Sequence, residues 1–288
     1  SLYMENSENC QGDYIFNSKD VSHSFYADKC ENIAYCYDAL ENKNCIDTYE
    51  SSLHCEFQYE CYACNESNMM RFCALCQFSH NLEYCDYCFS CHDCFGCIGL
   101  KNAKYCILNK QYSKEEYFVL REKIINHMKQ TGEWGEFFPI ELSPFAYNET
   151  VAQEYFPLKK PERAYGNTPL RYSWRDNEPG VKYEGPKVKI PETIAETSDD
   201  ICNQILECET CQKNYRIVKP ELTFYRKMEL PVPHSCPDCR HKARMALRNP
   251  RKLWKRNCNN CSAEIETTFA PERPEKVFCE KCYLETLQ

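Results

Sequence analysis

A chain of 288 residues that is 43% hydrophobic is long enough for two domains and apolar enough to fold, with 24 Cys, 21 Tyr and 15 Phe supplying much of that apolar share. The formal charge of −8 is divided: residues 1–100 hold 4 Lys/Arg against 16 Asp/Glu, and residues 201–288 hold 16 against 11, so the two ends should meet different partners. No run of 18 apolar residues exists, which argues against a membrane-spanning helix, and the start at Ser1-Leu-Tyr-Met lacks the charged start and apolar run of a secretory leader. A start without Met also fits a fragment or a processed product.

Cysteine at this density brings disulfide scaffolds to mind, but those are short secreted domains. Here the Cys-x-x-Cys pairs are evenly placed in a long chain, which favours metal ligation in a reducing, cytoplasmic setting.

From about residue 7 to 110 the sequence repeats loosely in units of 9 to 12 residues rich in Cys, Tyr, Phe, Asn and Ser. Cys61, Cys73, Cys85 and Cys97 step by twelve, as do Cys64, Cys76 and Cys88. So short a repeat, without helical periodicity, predicts a right-handed β-helix, or β-solenoid, over residues 1–112. Each rung should hide its Cys, Tyr and Phe against the next, with Asn and Ser at the corners. Cys85, Cys88, Cys91, Cys94 and Cys97 step by three, which fits ladder packing, a further zinc, or an iron–sulfur run like that of bacterial ferredoxins, although no Cys-x-x-x-Cys-Pro ending follows.

Ser113-Lys-Glu-Glu116 is a capping box, and Tyr117, Leu120, Ile124, Ile125 and Met128 fall at helical spacing, so residues 113–131 should be a helix that caps the solenoid. Residues 132–197, rich in Pro, Tyr and charge, read as an irregular linker that packs through Trp134, Phe137, Phe138 and Phe145. A short helix over 198–207, capped by Ser198, should deliver the chain to Cys208.

Four knuckles follow: Cys208/Cys211, Cys236/Cys239, Cys258/Cys261 and Cys279/Cys282. A Cys-x-x-Cys turn gives two ligands and two such turns close a tetrahedral structural site, so neighbouring pairs predict two zinc ions, one in a module at 198–250 and one at 251–288. The first should place a strand at Tyr215–Val218 and helices at Pro220–Met228 and from Arg240, a treble-clef-like order. The second should be a zinc ribbon, with Ala263–Phe269 pairing Lys276–Phe278 in a hairpin. His234 and His241 flank one knuckle and keep a three-cysteine, one-histidine set open; otherwise the seven His show no ligand spacing.

The segment from Arg240 to Arg256 holds eight Lys/Arg and no acid in seventeen residues. Arg240, Lys242, Arg244, Arg248, Arg251, Lys252, Lys255 and Arg256, with Trp254 to stack on a base, are candidate contacts to RNA or DNA. The competing reading is that these cations offset the thiolate charge of the two sites. No phosphate-binding glycine loop, nucleophile elbow, His-Glu-x-x-His pair or deaminase signature is present, so no catalytic residues are assigned.

The run Cys208-Glu-Thr-Cys through Tyr-Arg-Ile-Val, Leu-Pro-Val-Pro, Cys-Pro-Asp-Cys-Arg-His-Lys and Cys-Asn-Asn-Cys to Cys-Glu-Lys-Cys-Tyr283, with Asp93-Cys-Phe-Gly-Cys to Tyr112, resembles an uncharacterised bacterial zinc-ribbon protein family with a Cys/Tyr-rich repeat region. Its members come from small-genome uncultured bacteria and are sometimes labelled CoA-transferase-like, a label no carboxylate motif supports here. The resemblance implies zinc and brings no activity. The expectation is a non-enzymatic zinc protein that binds nucleic acid, or alternatively a protein-interaction scaffold that docks another protein on its solenoid, with an iron–sulfur or redox protein as the third reading.

Overall fold

The computed structural model describes residues 2–160, 172–176 and 184–287, so parts of the expected linker, 161–171 and 177–183, lie outside the described residues. The chain divides into two compact units, one of Ser1–Ser173 with Arg251–Gln288, the other of Trp174–Pro250.

The first unit is built on a β-solenoid of about nine turns. Its strands are β1 (Met4–Glu5), β2 (Glu8–Phe16), β3 (Lys19–Asp28), β4 (Glu31–Ala34), β5 (Tyr37–Leu40), β6 (Lys43–Tyr49), β7 (Glu56–Tyr62), β8 (Asn68–Ala74), β9 (His80–Glu83), β10 (His92–Phe95), β11 (Lys104–Ile107) and β12 (Lys110–Gln111). Neighbours pair in parallel up to β11, and only β12 turns back antiparallel. Asn68, His80, His92 and Lys104 stand in register on successive rungs, which fixes the rung at twelve residues. Between β6 and β7 the step is thirteen, as Lys43 pairs Glu56, and the extra residue is taken up where Leu53 and His54 are consecutively left-handed.

The corners follow a rule finer than the expected one. From Tyr14 to Glu50, and again from Phe57 to Asp93, every third residue has positive φ, and Tyr, Phe, Glu and Met take the position as well as Asn and Asp. Such a conformation costs about 1–2 kcal/mol per non-glycine residue. It is held by rung-to-rung bonds: the corner N–H of Lys29 donates to Phe16 O at 3.0 Å, Tyr35 to Ser22 O at 2.9 Å and Tyr87 to Ala74 O at 3.0 Å. Gly96 and Gly99 fill two corners on the last full rung at φ 61° and 70° without that cost.

A corner every third residue makes every third side chain point inward. From Ile15 through Val21, Ala27, Ile33, Ala39 and Cys45 to Ser51, and from Cys55 through Met70, Leu82 and Cys94 to Cys97, these side chains are buried. Four inward residues per turn leave a narrow interior, which explains why Cys, Ser and Ala predominate there. Contrary to expectation, many aromatic rings stack on the outside: Tyr3, Tyr14 and Tyr26 form one ladder at 5.0 and 4.7 Å, and Phe25, Tyr37, Tyr49 and Tyr62 another at 5.8, 6.3 and 5.9 Å.

The helix α1 (Lys114–Thr131) covers the last rungs as expected. Its capping box is formed, with Glu116 N–H donating to Ser113 Oγ at 3.2 Å and Ser113 N–H to Glu116 Oε2 at 3.0 Å. Tyr117 and Ile125 bury against Phe95 and Ile107, each apolar side chain contributing about 2 kcal/mol. Arg121 grips the buried Glu83 through Nε and Nη2, both at 2.6 Å, and Arg71 joins the same carboxylate. Beyond α1, Trp134 meets Phe72 and Tyr84 at 6.0 Å, and a short helix α2 (Ala152–Tyr155) brings Phe156 edge-on to Tyr37. Phe145 remains exposed.

In the second unit the expected helix at 198–207 is instead a 3-10 turn, Asp199–Asn203, whose Ser198 makes no side-chain cap. The chain then enters β13 (Leu206–Glu207), which pairs β14 (Asn214–Tyr215); α3 (Lys219–Lys227) and α4 (Pro237–Ala246) complete the unit. Leu206, Ile217, Leu222, Tyr225 and Val232 form its core. Back in the first unit, β15 (Trp254–Asn257) pairs β16 (Glu264–Thr267), and α5 (Glu280–Glu285) ends the fold. The predicted Lys276–Phe278 strand does not form, because β16 pairs with the segment preceding the knuckle. No described helix is long and apolar enough to cross a membrane.

Candidate metal centres

The thiols of Cys208, Cys211, Cys236 and Cys239 all lie within 4.8 Å of one another, and so do those of Cys258, Cys261, Cys279 and Cys282. Each set could hold a metal ion, and the sequence pairing of the knuckles is the spatial pairing.

Both centres are built alike, which spacing did not reveal. In each, a two-strand hairpin carries the first knuckle at its turn: Cys208 N–H donates to Lys213 O at 2.9 Å and Cys258 N–H to Ala263 O at 2.8 Å. Gln212 and Ser262 close the two turns in the left-handed region at φ 61° and 60°. The second knuckle then opens a helix. Cys236 and Cys279 stand at the N-caps of α4 and α5, and Cys239 and Cys282 lie in their first turns. A lateral bond ties the halves together, from Glu209 N–H to His234 O at 3.1 Å and from Asn259 N–H to Val277 O at 2.8 Å. The second module is thus treble-clef-like, like the first, and the zinc-ribbon expectation for it is corrected. The legible signal was the repeated pattern of knuckle, short strand, proline-rich return and knuckle with helix-forming residues after it.

The electrostatics prepare one sulfur of each set for a cation, Cys208 and Cys258, while the thiols crowded beside them push Cys239 and Cys282 up to about 12. Burial raises the Cys208 thiol, but N–H groups of Cys236, Cys211 and Thr210 aimed at it outweigh burial and lower it to about 6; the Cys236 N–H lies 3.2 Å from its sulfur. Cys258 is likewise lowered to about 6 by N–H groups of Cys261 and Cys279. Thiolates are the metal-binding form, and N–H donors stabilise them. Asn260 adds a side-chain N–H to Cys282 Sγ at 3.4 Å. His234 turns instead to Glu209 at 2.8 Å, so it stands outside the four-thiol set.

The cysteines stepping by three, Cys85 to Cys97, are inward residues of successive faces. Their thiols donate to carbonyls, as Cys88 does to Asp86 O and Cys97 O at 3.5 Å. Among the described residues, no solenoid cysteine belongs to a group of three or more ligand atoms within 4.8 Å.

The basic segment is shared between the units: Arg240, Lys242, Arg244 and Arg248 belong to the second, and Arg251, Lys252, Trp254, Lys255 and Arg256 to the first. Much of its charge is used within the chain. Arg240 donates to Tyr225 at 3.0 Å and to Glu221 at 3.2 Å; Lys255 pairs Glu264 at 3.0 Å; Arg256 donates to carbonyls of Ala270 and Glu275 at 3.4 and 3.2 Å. Arg251, named as a nucleic-acid contact, is buried: Nη2 binds both oxygens of Asp38 at 2.9 and 2.6 Å, and the guanidinium lies 4.0 Å from the Tyr155 ring and 5.2 to 5.6 Å from those of Tyr26, Tyr37 and Tyr49. Lys252 covers Trp254 at 5.3 Å. Lys242 and Arg244 are exposed on α4.

A groove of about 600 Å³ opens on the solenoid beside that aromatic ladder, lined by Tyr35, Tyr49, Tyr62 and Phe156 with the carboxylates of Asp47 and Glu60. Burial raises both acids. Compared with protein-family models and with curated proteins, the chain matches no family model and no curated protein.

Proposed function

We propose that the chain is a non-catalytic zinc protein in which two closed four-cysteine sites stabilise treble-clef-like modules, and that its solenoid docks a basic segment of a protein partner. Zinc is the metal that an all-sulfur, four-ligand set of this kind suits, and such sites are structural. All 24 cysteines are unpaired, which supports a reducing, cytoplasmic setting. The family that the sequence resembles implies zinc, and that implication accords with this reading.

The observation that carries the docking reading is the groove. Aromatic faces beside two carboxylates, the exposed Asp47 and the half-buried Glu60, suit a guanidinium or ammonium group. Arg251 supplies the precedent inside the molecule, since the same Tyr37–Tyr49 ladder holds its cation. The nucleic-acid alternative keeps one observation in its favour, the exposed Lys242 and Arg244 on α4.

The test is fluorescence anisotropy of labelled Arg/Lys-rich peptides, acidic control peptides, single-stranded RNA and duplex DNA at low and moderate salt. The expected result is binding of the basic peptides alone, weakened about tenfold or more by Tyr49→Ala or by Asp47→Asn with Glu60→Gln. Nucleic-acid binding that falls steeply with salt and is lost in Lys242→Ala/Arg244→Ala would instead favour the alternative. Failure of basic peptides to bind overturns the docking reading.

A further inference from the structure

The twelve-residue rung brings together two histidines that the sequence keeps apart. His80 on β9 lies opposite His92 on β10 in the parallel register, and their rings stack at 5.0 Å with an interplanar angle of 1°. Asp93 follows His92 directly. In a regular strand its carboxylate would face the other way, but Asp93 is a left-handed corner at φ 53°, and its Oδ2 comes to 3.1 Å from His92 Nδ1. Asn81, the corner one rung earlier, donates its side-chain N–H to the other oxygen, Oδ1, at 2.5 Å. One ligand atom from each of His80, His92 and Asp93 then lies within 4.8 Å of the others.

We infer that His80, His92 and Asp93 form a third metal site, separate from the four-cysteine centres, for a divalent cation of the nickel or copper kind. Two imidazoles and a carboxylate are the donors such ions prefer, and three protein ligands leave positions open for water or a small anionic ligand. The Asn81 amide orients the carboxylate as an outer partner does in metal sites. The other histidines of the solenoid make no such trio: His54 pairs with Glu41 at 3.2 Å, and His23 lies against Ser22 and Tyr35. Lys104, next in the His80–His92 column, has its ammonium 6.0 Å from the Tyr105 ring. His80 is exposed and His92 half-buried with its other side against the Tyr105 ring at 5.9 Å, so a cation reaches the trio from solvent.

The experiment titrates the full chain, its cysteine sites loaded with zinc, with Ni²⁺ by calorimetry while zinc release is followed by elemental analysis. One nickel per chain is expected with both zinc ions retained. Affinity should fall at least about tenfold in His80→Ala, in His92→Ala and in Asp93→Asn, by roughly ten- to a hundredfold in Asn81→Ala, and not in His54→Ala. His80 is exposed, so its variant keeps the fold and the test stands on it alone if His92→Ala does not fold. The proposal is overturned if nickel fails to bind, binds equally to the parent and His80→Ala, or enters only by displacing zinc.

Discussion

Arg251 and Asp38, 213 residues apart in the chain, meet so that one guanidinium nitrogen binds both carboxylate oxygens while three tyrosines of the solenoid and Tyr155 surround the cation. The contact ties the chain leading into the second metal module to the solenoid, together with Thr268 Oγ1, which donates to Asp13 at 3.1 Å.

Removing Arg251 leaves Asp38 and a hollow among aromatic rings. Arg251→Ala is expected to destabilise the first unit by about 2 kcal/mol, because the buried guanidinium loses its packing among the rings and its charged hydrogen bonds, while Asp38, 33% exposed, is rehydrated. Arg251→Lys should recover only part of this, since an ammonium cannot lie flat across the rings. Urea unfolding followed by tyrosine fluorescence measures both.

Glu83 is the deepest carboxylate of the solenoid, with Arg121 and Arg71 both committed to it. Arg121→Ala should cost about 3 kcal/mol and expose the last rungs. Hydrogen exchange should show lost protection in β10, β11 and α1, with β2 and β3 unchanged. Ser113→Ala should weaken the same helix by about 1 kcal/mol through its cap alone.

The inward cysteines are sized for a narrow interior. Cys85→Ala should cost about 1 kcal/mol for a small void. Cys85→Phe should cost about 3 kcal/mol or prevent folding, because four inward side chains per turn leave no room to relax. Thermal unfolding compares the two; equal costs would contradict the packing account.

Acid should release the metals. Cys208 and Cys258 are lowered to about 6 in the folded chain, so their contribution is complete above the ordinary thiol range and is lost as pH falls through about 6. Chelator extraction of zinc, followed with a colorimetric indicator, should therefore quicken between pH 7 and 5.

How much of this was legible follows from local chemistry. The twelve-residue step of Cys61, Cys73, Cys85 and Cys97, the Ser113–Glu116 box and the four knuckles each carry their structural reason in a few adjacent residues, and they announced the solenoid, its cap and the ligand sets. What stayed hidden depends on partners far apart in sequence. Tyr and Phe at left-handed corners defy residue preference because rung-to-rung bonds hold them. The strand at 254–257 reads as part of a basic run until β16 pairs with it, and Arg251 reads as a surface cation until Asp38, 213 residues away, claims it. The His80–His92 trio is legible only against the repeat, where a difference of twelve is one rung.

The most direct measurement is elemental analysis of the purified chain with no metal added, alongside Cys236→Ser and Cys279→Ser. The account predicts two zinc per parent chain, with one retained in each variant, because each module closes its own site. Iron, or fewer than two zinc in the parent, or two zinc in either variant, would contradict it.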